Sequence, residues 1–266
     1  MDCVFGREMG SVVSLGLACA LVMGCTTATP PVRLAAYLGP QSSAAAMSDV
    51  VLPESRPIRV GLIVVTDTTA PEAAPAIPDE ALKRLTEQLG QEFSQYLPFV
   101  VEKIIPAESL GPKGELAEMV ELGRRSHVEH VLLVVLSSME QEYPMSIFLG
   151  WTTHQQPGWR RDNWSLMEAA LVDVVRSRVV LQAEGRGVAT LDRPTAPGIN
   201  QWYPVVWLRP QDPARRIFPP TYAGAPNTLR VVAMTQALRR LVPNFQDAWI
   251  QQRQRELSMA EGLGGG

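Results

Sequence analysis

Two polar side chains follow predicted buried strands, at positions where a catalytic site could form. Asp67 comes after the apolar run Ile58–Val65, and Ser137 comes after the apolar run Val131–Leu136. Ligands of open α/β sheets bind beyond the carboxyl ends of the strands, so the two side chains could share a hydrolytic cleft. The sequence has no Gly-x-Ser-x-Gly elbow and no glycine-rich phosphate loop. A loop cap is the alternative role for Asp67.

A histidine pair is the other candidate for chemistry. His127 and His130 are three residues apart, a spacing that lets two imidazoles share a helix face and bind a metal. The pair falls where a predicted helix gives way to a predicted strand, which does not preserve that geometry. His154 is distant, and two ligands are too few for a site. The sequence therefore predicts no metal site and no cofactor.

Cys25 is the candidate for covalent modification. It follows the apolar run Ser11–Met23, which has the length of a signal-peptide core and is too short to span a membrane. Gly24-Cys25 resembles a lipobox, where a peptidase cuts before an acylated cysteine. Cys3 and Cys19 would leave with the signal, so the mature chain would keep one cysteine at its own amino terminus. An ordinary signal peptide or a buried apolar helix is the alternative.

Tryptophan and arginine are concentrated in the segment 151–164, and protein interfaces favour both residue types. Its polar part, Thr152–Asn163, has no helical or strand period, so we predict a loop that contacts a partner. A second aromatic stretch, 202–207, joins this surface if the two meet in space. Alternatively, the tryptophans cap the core, or the arginines meet anionic lipid or glycan. The candidate partner surface consists of Trp151, His154, Trp159, Arg160, Arg161, Trp164, Trp202 and Trp207.

Composition sets the class of protein. The chain has 266 residues, a formal net charge of −3 and 46% hydrophobic residues. It has no basic footprint for nucleic acid, and it can bury a real core. After Cys25 no run approaches eighteen apolar residues, so nothing else in the sequence is expected to span a membrane.

The first half of the chain alternates predicted strands and helices. The strands are Ile58–Val65, Phe99–Ile105 and Val131–Leu136, and helices begin near Asp79 and Glu115. The order predicts a β-α-β-α-β unit with helices covering the sheet. The first helix has an apolar stripe at steps of three or four residues, formed by Leu82, Leu85, Leu89, Phe93 and Leu97.

The second half is predicted to be antiparallel. Strands are expected at Met145–Trp151 and Trp164–Val175, with a hairpin turning at Arg176-Ser177. The Pro-rich segment 192–227 is expected to be irregular, and a helix is expected over 228–259. We therefore predict an α/β (α+β) fold, with a three-layer-like β-α-β-α-β start, an antiparallel hairpin on the same mixed sheet and a C-terminal helix.

The predicted domain organisation has four parts. Residues 1–24 are a lipoprotein signal peptide, and residues 25–57 are the lipidated cysteine and a flexible tether. Within the tether, the apolar island Leu34–Pro40 is expected to pack back onto the domain. Residues 58–260 form a single mixed domain, and residues 261–266 are a Gly-rich tail.

Four segments resemble the rhombotarget lipoproteins, small bacterial envelope proteins associated with a rhomboid-type processing protease. They are Ala36–Pro40, Ile58–Leu62, Phe99–Leu110 and Met167–Val174. These are structural segments, and the family offers no catalytic residues to carry over. The strand order is also similar to the αβ domains of periplasmic assembly lipoproteins, which is an analogy of fold alone.

The sequence therefore favours a non-catalytic, lipid-anchored envelope lipoprotein that acts as a protein-binding or assembly module. By resemblance to the sorting of enteric lipoproteins, Thr26 after the cysteine, in place of an aspartate, favours the outer membrane, facing the periplasm. The expected partners are the membrane, through the acyl chains, and an unidentified envelope protein, with no nucleic acid. The alternative is a hydrolase or glycan-binding enzyme with its site near Asp67 and Ser137.

Overall fold

The structure is a computed structural model that describes residues 30, 32–39, 57–110, 115–148, 155–195, 204–208 and 216–263. The predictions for Cys25, Trp151, His154 and Trp202 lie outside these residues. The helices are α1 (Leu34–Leu38), α2 (Asp79–Tyr96), α3 (Leu116–Arg125) and α4 (Ala225–Leu263), with a 3-10 turn at Ala107–Ser109. The strands are β1 (Ile58–Thr66), β2 (Phe99–Ile104), β3 (His130–Phe148), β4 (Gln155–Asp173), β5 (Arg178–Pro194), β6 (Val205–Leu208) and β7 (Arg216–Ile217).

The strands form one mixed seven-stranded sheet in the order β2-β1-β3-β4-β5-β6-β7. β1 lies between β2 and β3 and is parallel to both. Every later neighbour pair is antiparallel. The predicted β-α-β-α-β start and antiparallel second half are thus confirmed.

Alternate residues of the central strands enter two apolar clusters, one on each face of the sheet. On the first face, Val60 and Val134 pack with α2 and α4. On the second face, Ile63 and Leu133 pack with α1 and α3. Both faces of β1 and β3 are covered, which explains their near-continuous apolar sequences. Val60, Ile63, Val134 and Leu136, the predicted core residues, have no exposed surface.

The helices follow the predicted apolar stripes. Leu85, Leu89 and Phe93 are the buried side of α2. α4 begins before residue 228 and continues through Pro243 as one helix. Its Phe245 and Trp249 pack edge-on against the aromatic rings of α2 and β2. In the described part of the chain, no helix combines the length and the apolar character needed to cross a membrane.

The predicted loop over Thr152–Asn163 is wrong from Gln155 onward, because β4 begins there. The predicted strand starting at Met145 is also the end of the longer β3. Polar side chains occupy these strand positions because they meet polar partners across the ladder, as Glu142 does opposite Arg161. The segment 192–227 is likewise only partly irregular, since it holds the end of β5, β6, β7 and the start of α4.

The hairpin between β4 and β5 turns where the sequence predicted. Ser177 adopts a positive φ of 53°, a conformation that glycine usually supplies. The carboxylate of Asp173 accepts hydrogen bonds from the backbone N–H groups of Val175 and Arg176, at 2.9 and 2.8 Å. It also pairs with the Arg176 guanidinium. These bonds stabilise the turn, although it has no glycine at the position with positive φ.

The apolar island in the predicted tether is part of the fold. Residues 34–38 form α1, and Leu34 and Leu38 are buried among residues of β1, β3 and α3. The expectation that this island packs onto the domain is confirmed. One part of the predicted tether, residues 34–38, is therefore packed against the domain.

Candidate functional site

α1 occupies the corner of the sheet where the sequence placed a possible cleft. Arg33, directly before the helix, donates from Nε to Oδ2 of Asp67 at 2.9 Å, and Tyr37 donates its hydroxyl to the same oxygen at 3.2 Å. The other oxygen, Oδ1, accepts the backbone N–H and the hydroxyl of Thr69 at 2.9 and 2.7 Å. Asp67 is buried and is both a loop cap and the anchor for α1.

A second buried carboxylate holds the beginning of the same helix. Oε2 of Glu168, on β4, accepts the backbone N–H groups of Arg33 and Leu34 at 2.7 and 3.1 Å. The first N–H groups of a helix lack partners within the helix, so an acidic side chain there both satisfies and stabilises them. Asp67 and Glu168 together fix α1 by hydrogen bonds at two points.

Ser137 lies on the same face of the sheet as Glu168. It pairs with Leu166 while Val135 pairs with Glu168, so Ser137 and Glu168 point to the same side. Its hydroxyl is buried and makes no hydrogen bond among the described residues. The structure thus brings Asp67, Ser137 and a second carboxylate to one face, where the two carboxylates bond to α1 and to Arg33 before it.

The two carboxylates have opposite pKa shifts. Burial raises the pKa of Glu168, and the two backbone hydrogen bonds offset this only in part. Burial also acts to raise the pKa of Asp67, but hydrogen bonds from Thr69 and Arg33 outweigh it and hold the pKa below its usual value. Burial and the neighbouring Asp67 raise the pKa of Tyr37 to about 12, so its hydroxyl remains a donor at neutral pH.

The histidine pair does not converge. His127 is exposed in the turn after α3, with a positive φ of 57°, whereas His130 is buried at the start of β3 beside Asp173. Within the described ranges, no group of three histidine, cysteine or acidic side chains could hold a metal ion.

The predicted partner surface is divided between the two faces of the sheet. Trp159 and Trp164 are five residues apart on β4, so their side chains point to opposite faces. Trp164 shares its face with Trp207 on β6, and both rings are half-buried. The Arg216 guanidinium lies 5.4 Å from the Trp207 ring centre. Trp159 is therefore separated by the sheet from Trp164 and Trp207, whereas one tryptophan of each stretch, Trp164 and Trp207, lies on a shared face.

The two arginines of this segment have separate ion-pair partners. Arg160 makes two parallel hydrogen bonds to Asp192 on β5, at 2.6 and 2.8 Å, and Asp192 is buried. Arg161 bonds to Glu142 on the opposite face. Arg160 thus links β4 to β5, and Arg161 links β4 to β3.

An open pocket lies beside Trp159, which has 44% of its surface exposed. The pocket has a volume of about 480 Å³ and is lined by Glu142, Trp159, Arg193 and Tyr222. Tyr222, just before α4, is 49% exposed. We call this group the Trp159 pocket. Sequence reasoning found Trp159 but missed Tyr222, which lies in a Pro-rich segment without a period.

A chain of alternating charges runs beside the Trp159 pocket. Arg230 of α4 pairs with Glu140 at 2.8 Å, and Arg161 approaches Glu140 and Glu142. Glu142 also pairs with Arg193. The chain links β3, β4, β5 and α4, so Glu142, Trp159 and Arg193 of the pocket are held on paired strands, and Tyr222 is in the turn before α4.

No family model matches the chain, and no curated protein matches it. Among solved structures, it is similar to a neuraminyllactose-binding hemagglutinin homolog of Helicobacter pylori, with 10% identity over 79% of this chain and 97% of that one and a TM-score of 0.37. The PelC dodecamer of Paraburkholderia phytofirmans gives 14% identity over 56% and 82%, with a TM-score of 0.27. The hypothetical protein CT253 of Chlamydia trachomatis gives 9% over 73% and 98%, with a TM-score of 0.34. These likenesses say nothing about what this chain binds.

Proposed function

We propose that the chain is a non-catalytic, lipid-anchored lipoprotein of the bacterial envelope that binds another protein through the Trp159 pocket. Acylation at Cys25 anchors it, in the outer membrane facing the periplasm. The apolar run before Gly24-Cys25 and the single cysteine of the mature chain support this anchoring. The resemblance to the rhombotarget lipoproteins agrees with an envelope role.

The observation that carries the proposal is the contrast between the two ends of the sheet. At the α1 end, the carboxylates of Asp67 and Glu168 are engaged in holding a helix, and Ser137 Oγ has no hydrogen-bond partner among the described residues. At the other end, Trp159 and Tyr222 leave nearly half of their surface in solvent, beside arginines held by ion pairs. Large, rigid aromatic side chains with pre-positioned arginines are typical of interface hot spots.

The alternative enzyme has less support. A hydrolytic serine needs a base within hydrogen-bond distance, and Ser137 Oγ has no hydrogen-bond partner in the described chain. Asp67 already accepts from Arg33, Tyr37 and Thr69. An enzyme at this corner would first have to release α1, which would break all of these contacts except those with Thr69.

Truncation of the pocket aromatics tests the binding role. Trp159→Ala and Tyr222→Ala should each weaken capture of an envelope partner by about 1–3 kcal/mol, the range of interface hot spots. Both should leave the melting temperature nearly unchanged, since the side chains are half-exposed. The measurement is crosslinking and quantitative pull-down from envelopes, with thermal unfolding of the same variants.

Tyr96 provides the matched control, because it is 51% exposed on α2 and lies outside the pocket. Tyr96→Ala should not change capture of the same partner. If all three variants capture equally, or if the pocket variants lose capture only in proportion to unfolding, the Trp159 pocket is not a recognition site.

A further inference from the structure

We infer that the face of the domain carrying α1 is its membrane-facing surface, and that the partner of this surface is the lipid headgroup layer. The inference rests on the acylation of Cys25 proposed above. It adds an orientation to the anchored domain, which anchoring alone does not define.

Only a short length of chain separates the proposed lipid attachment at Cys25 from the folded domain. Pro30 is already buried against the domain. Cys25 precedes it by five residues, and an extended chain covers at most about 3.6 Å per residue, so the separation is no more than about 18 Å. A domain held this closely must turn its α1 corner toward the bilayer.

α1 is fixed to the domain by hydrogen bonds and by buried leucines. Glu168 accepts two backbone N–H groups at its beginning, Asp67 binds Arg33 and Tyr37, and Leu34 and Leu38 are buried. Without this docking, the chain from Cys25 to the start of β1 would have 33 residues and could span about 120 Å at the same 3.6 Å per residue. Docking of α1 therefore shortens the maximum reach of the anchor by a factor of about 6.6.

The outer side of α1 and Val32 before it are apolar and uncharged. Val32 is 59% exposed, and Ala35 and Ala36 are also exposed. The basic side chain of this segment, Arg33, is turned inward to Asp67. The outer side thus has no carboxylate for anionic headgroups to repel, and it has small apolar side chains that tolerate the interface.

The orientation places the Trp159 pocket away from the bilayer. Glu168, which holds α1, and Trp159 are nine residues apart on β4, which corresponds to about 30 Å along a strand. Their side chains also point to opposite faces of the sheet. A pocket at this distance from the membrane is accessible to a protein in the periplasm.

Thiol accessibility of the acylated protein in vesicles tests the inference. Acylation consumes the Cys25 thiol, so Ala36→Cys and Gln95→Cys each introduce a single reactive thiol, on α1 and on the opposite face of the domain. Both positions are exposed, so both variants should fold. The lipoprotein is reconstituted into vesicles of phosphatidylethanolamine and phosphatidylglycerol, and its reaction with a bulky polyethylene glycol maleimide is timed.

Relative to Gln95→Cys, Ala36→Cys should react several-fold more slowly on vesicles, and the difference should disappear in detergent. Equal rates on vesicles, with the protein floating with the lipid, would overturn the inference and leave the anchoring intact. If the protein does not float or take up a palmitate analogue, the anchoring is wrong, and this inference is wrong with it.

Discussion

The burial of the ion pairs made by Arg160 and Arg161 depends on the face of the sheet to which each side chain points. The two arginines are neighbours in sequence, but they point to opposite faces. Arg160 binds Asp192, whose side chain has almost no contact with solvent, whereas Arg161 binds Glu142 at a more exposed position. A buried carboxylate that loses its guanidinium partner is costly, whereas an exposed pair contributes little.

Arg160→Ala should therefore lower the free energy of unfolding by about 3 kcal/mol. Arg161→Ala, the matched control, should lower it by less than about 1 kcal/mol. Urea denaturation of both variants measures the difference. Equal losses would show that Asp192 finds another partner when Arg160 is absent.

Asp67 and Glu168 should respond to pH in opposite directions. The pKa of Asp67 is lowered, so its stabilising contribution is full above about pH 4, the pKa of an unfolded aspartate, and is lost as the pH falls through the lower folded-state value. The pKa of Glu168 is raised, so its contribution is full below the pKa of an unfolded glutamate and is lost as the pH rises through the higher folded-state value.

At pH 7, Asp67→Asn should lower the free energy of unfolding by about 2 kcal/mol, since charge-assisted hydrogen bonds from Arg33 and Thr69 are weakened. Glu168→Gln keeps an acceptor for both backbone N–H groups and removes the cost of ionising a buried carboxyl group, so stability should stay equal or rise. At pH 3 the Asp67→Asn deficit should shrink. Chemical denaturation at the two pH values measures both effects, and a deficit for Asp67→Asn that does not change with pH would contradict the assigned role.

At the scale of elements, α4 fits the sheet because β5 has two glycines beneath it. A Cβ atom at Gly187 would lie 1.9 Å from the carbonyl oxygen of Ala233, and one at Gly185 would lie 2.1 Å from the carbonyl oxygen of Ala237. The obstructing atoms belong to the helix backbone, which cannot move aside. The glycines therefore set how closely α4 approaches the sheet.

Gly187→Ala should push α4 away from β5 and lower the free energy of unfolding by about 2–3 kcal/mol, the cost of overpacking. Gly90→Ala is the control, because Gly90 lies inside α2 and its added Cβ would meet other atoms only at 3.9 Å. That substitution should stabilise the protein by about 0.5–1 kcal/mol through helix propensity. Urea denaturation of the two variants should give opposite signs, and a neutral Gly187→Ala would show that the helix can shift.

At the scale of the whole molecule, the two ends of the sheet differ in structure. At one end, α1 and Arg33 before it are held by hydrogen bonds to Asp67 and Glu168. At the other end, the long strands β3, β4 and β5 extend past the helices on the second face and carry the Trp159 pocket on the first. The proposed function assigns anchoring to the first end and recognition to the second.

Cys25→Ser should abolish incorporation of a palmitate analogue and release the protein from membranes, because acyl chains are the only proposed anchor. The folded domain should be unaffected, so its melting temperature in detergent should match that of the parent. Fractionation of cells expressing each form measures the release. Continued membrane association of Cys25→Ser would show that another part of the chain binds lipid.

Much of the fold could be predicted from local patterns. The apolar runs of β1 and β3 predicted strands buried on both faces, and Leu85, Leu89 and Phe93 predicted the inner side of α2. The apolar island at Leu34 predicted the docking of α1. These predictions succeeded because burial on a given face imposes a period that the sequence itself displays.

What only the tertiary structure decided depends on contacts between distant residues. The segment 155–163 is polar and looks like a loop, but it is a strand because its charges pair with side chains of β3 and β5. Asp67 and Glu168 are 101 positions apart, and only the sheet brings them to one helix. The sequence by itself determined the buried strands and the helices, since these depend on composition and period. The placement of the corner and of the Trp159 pocket depended on the register of strands, which local sequence does not specify.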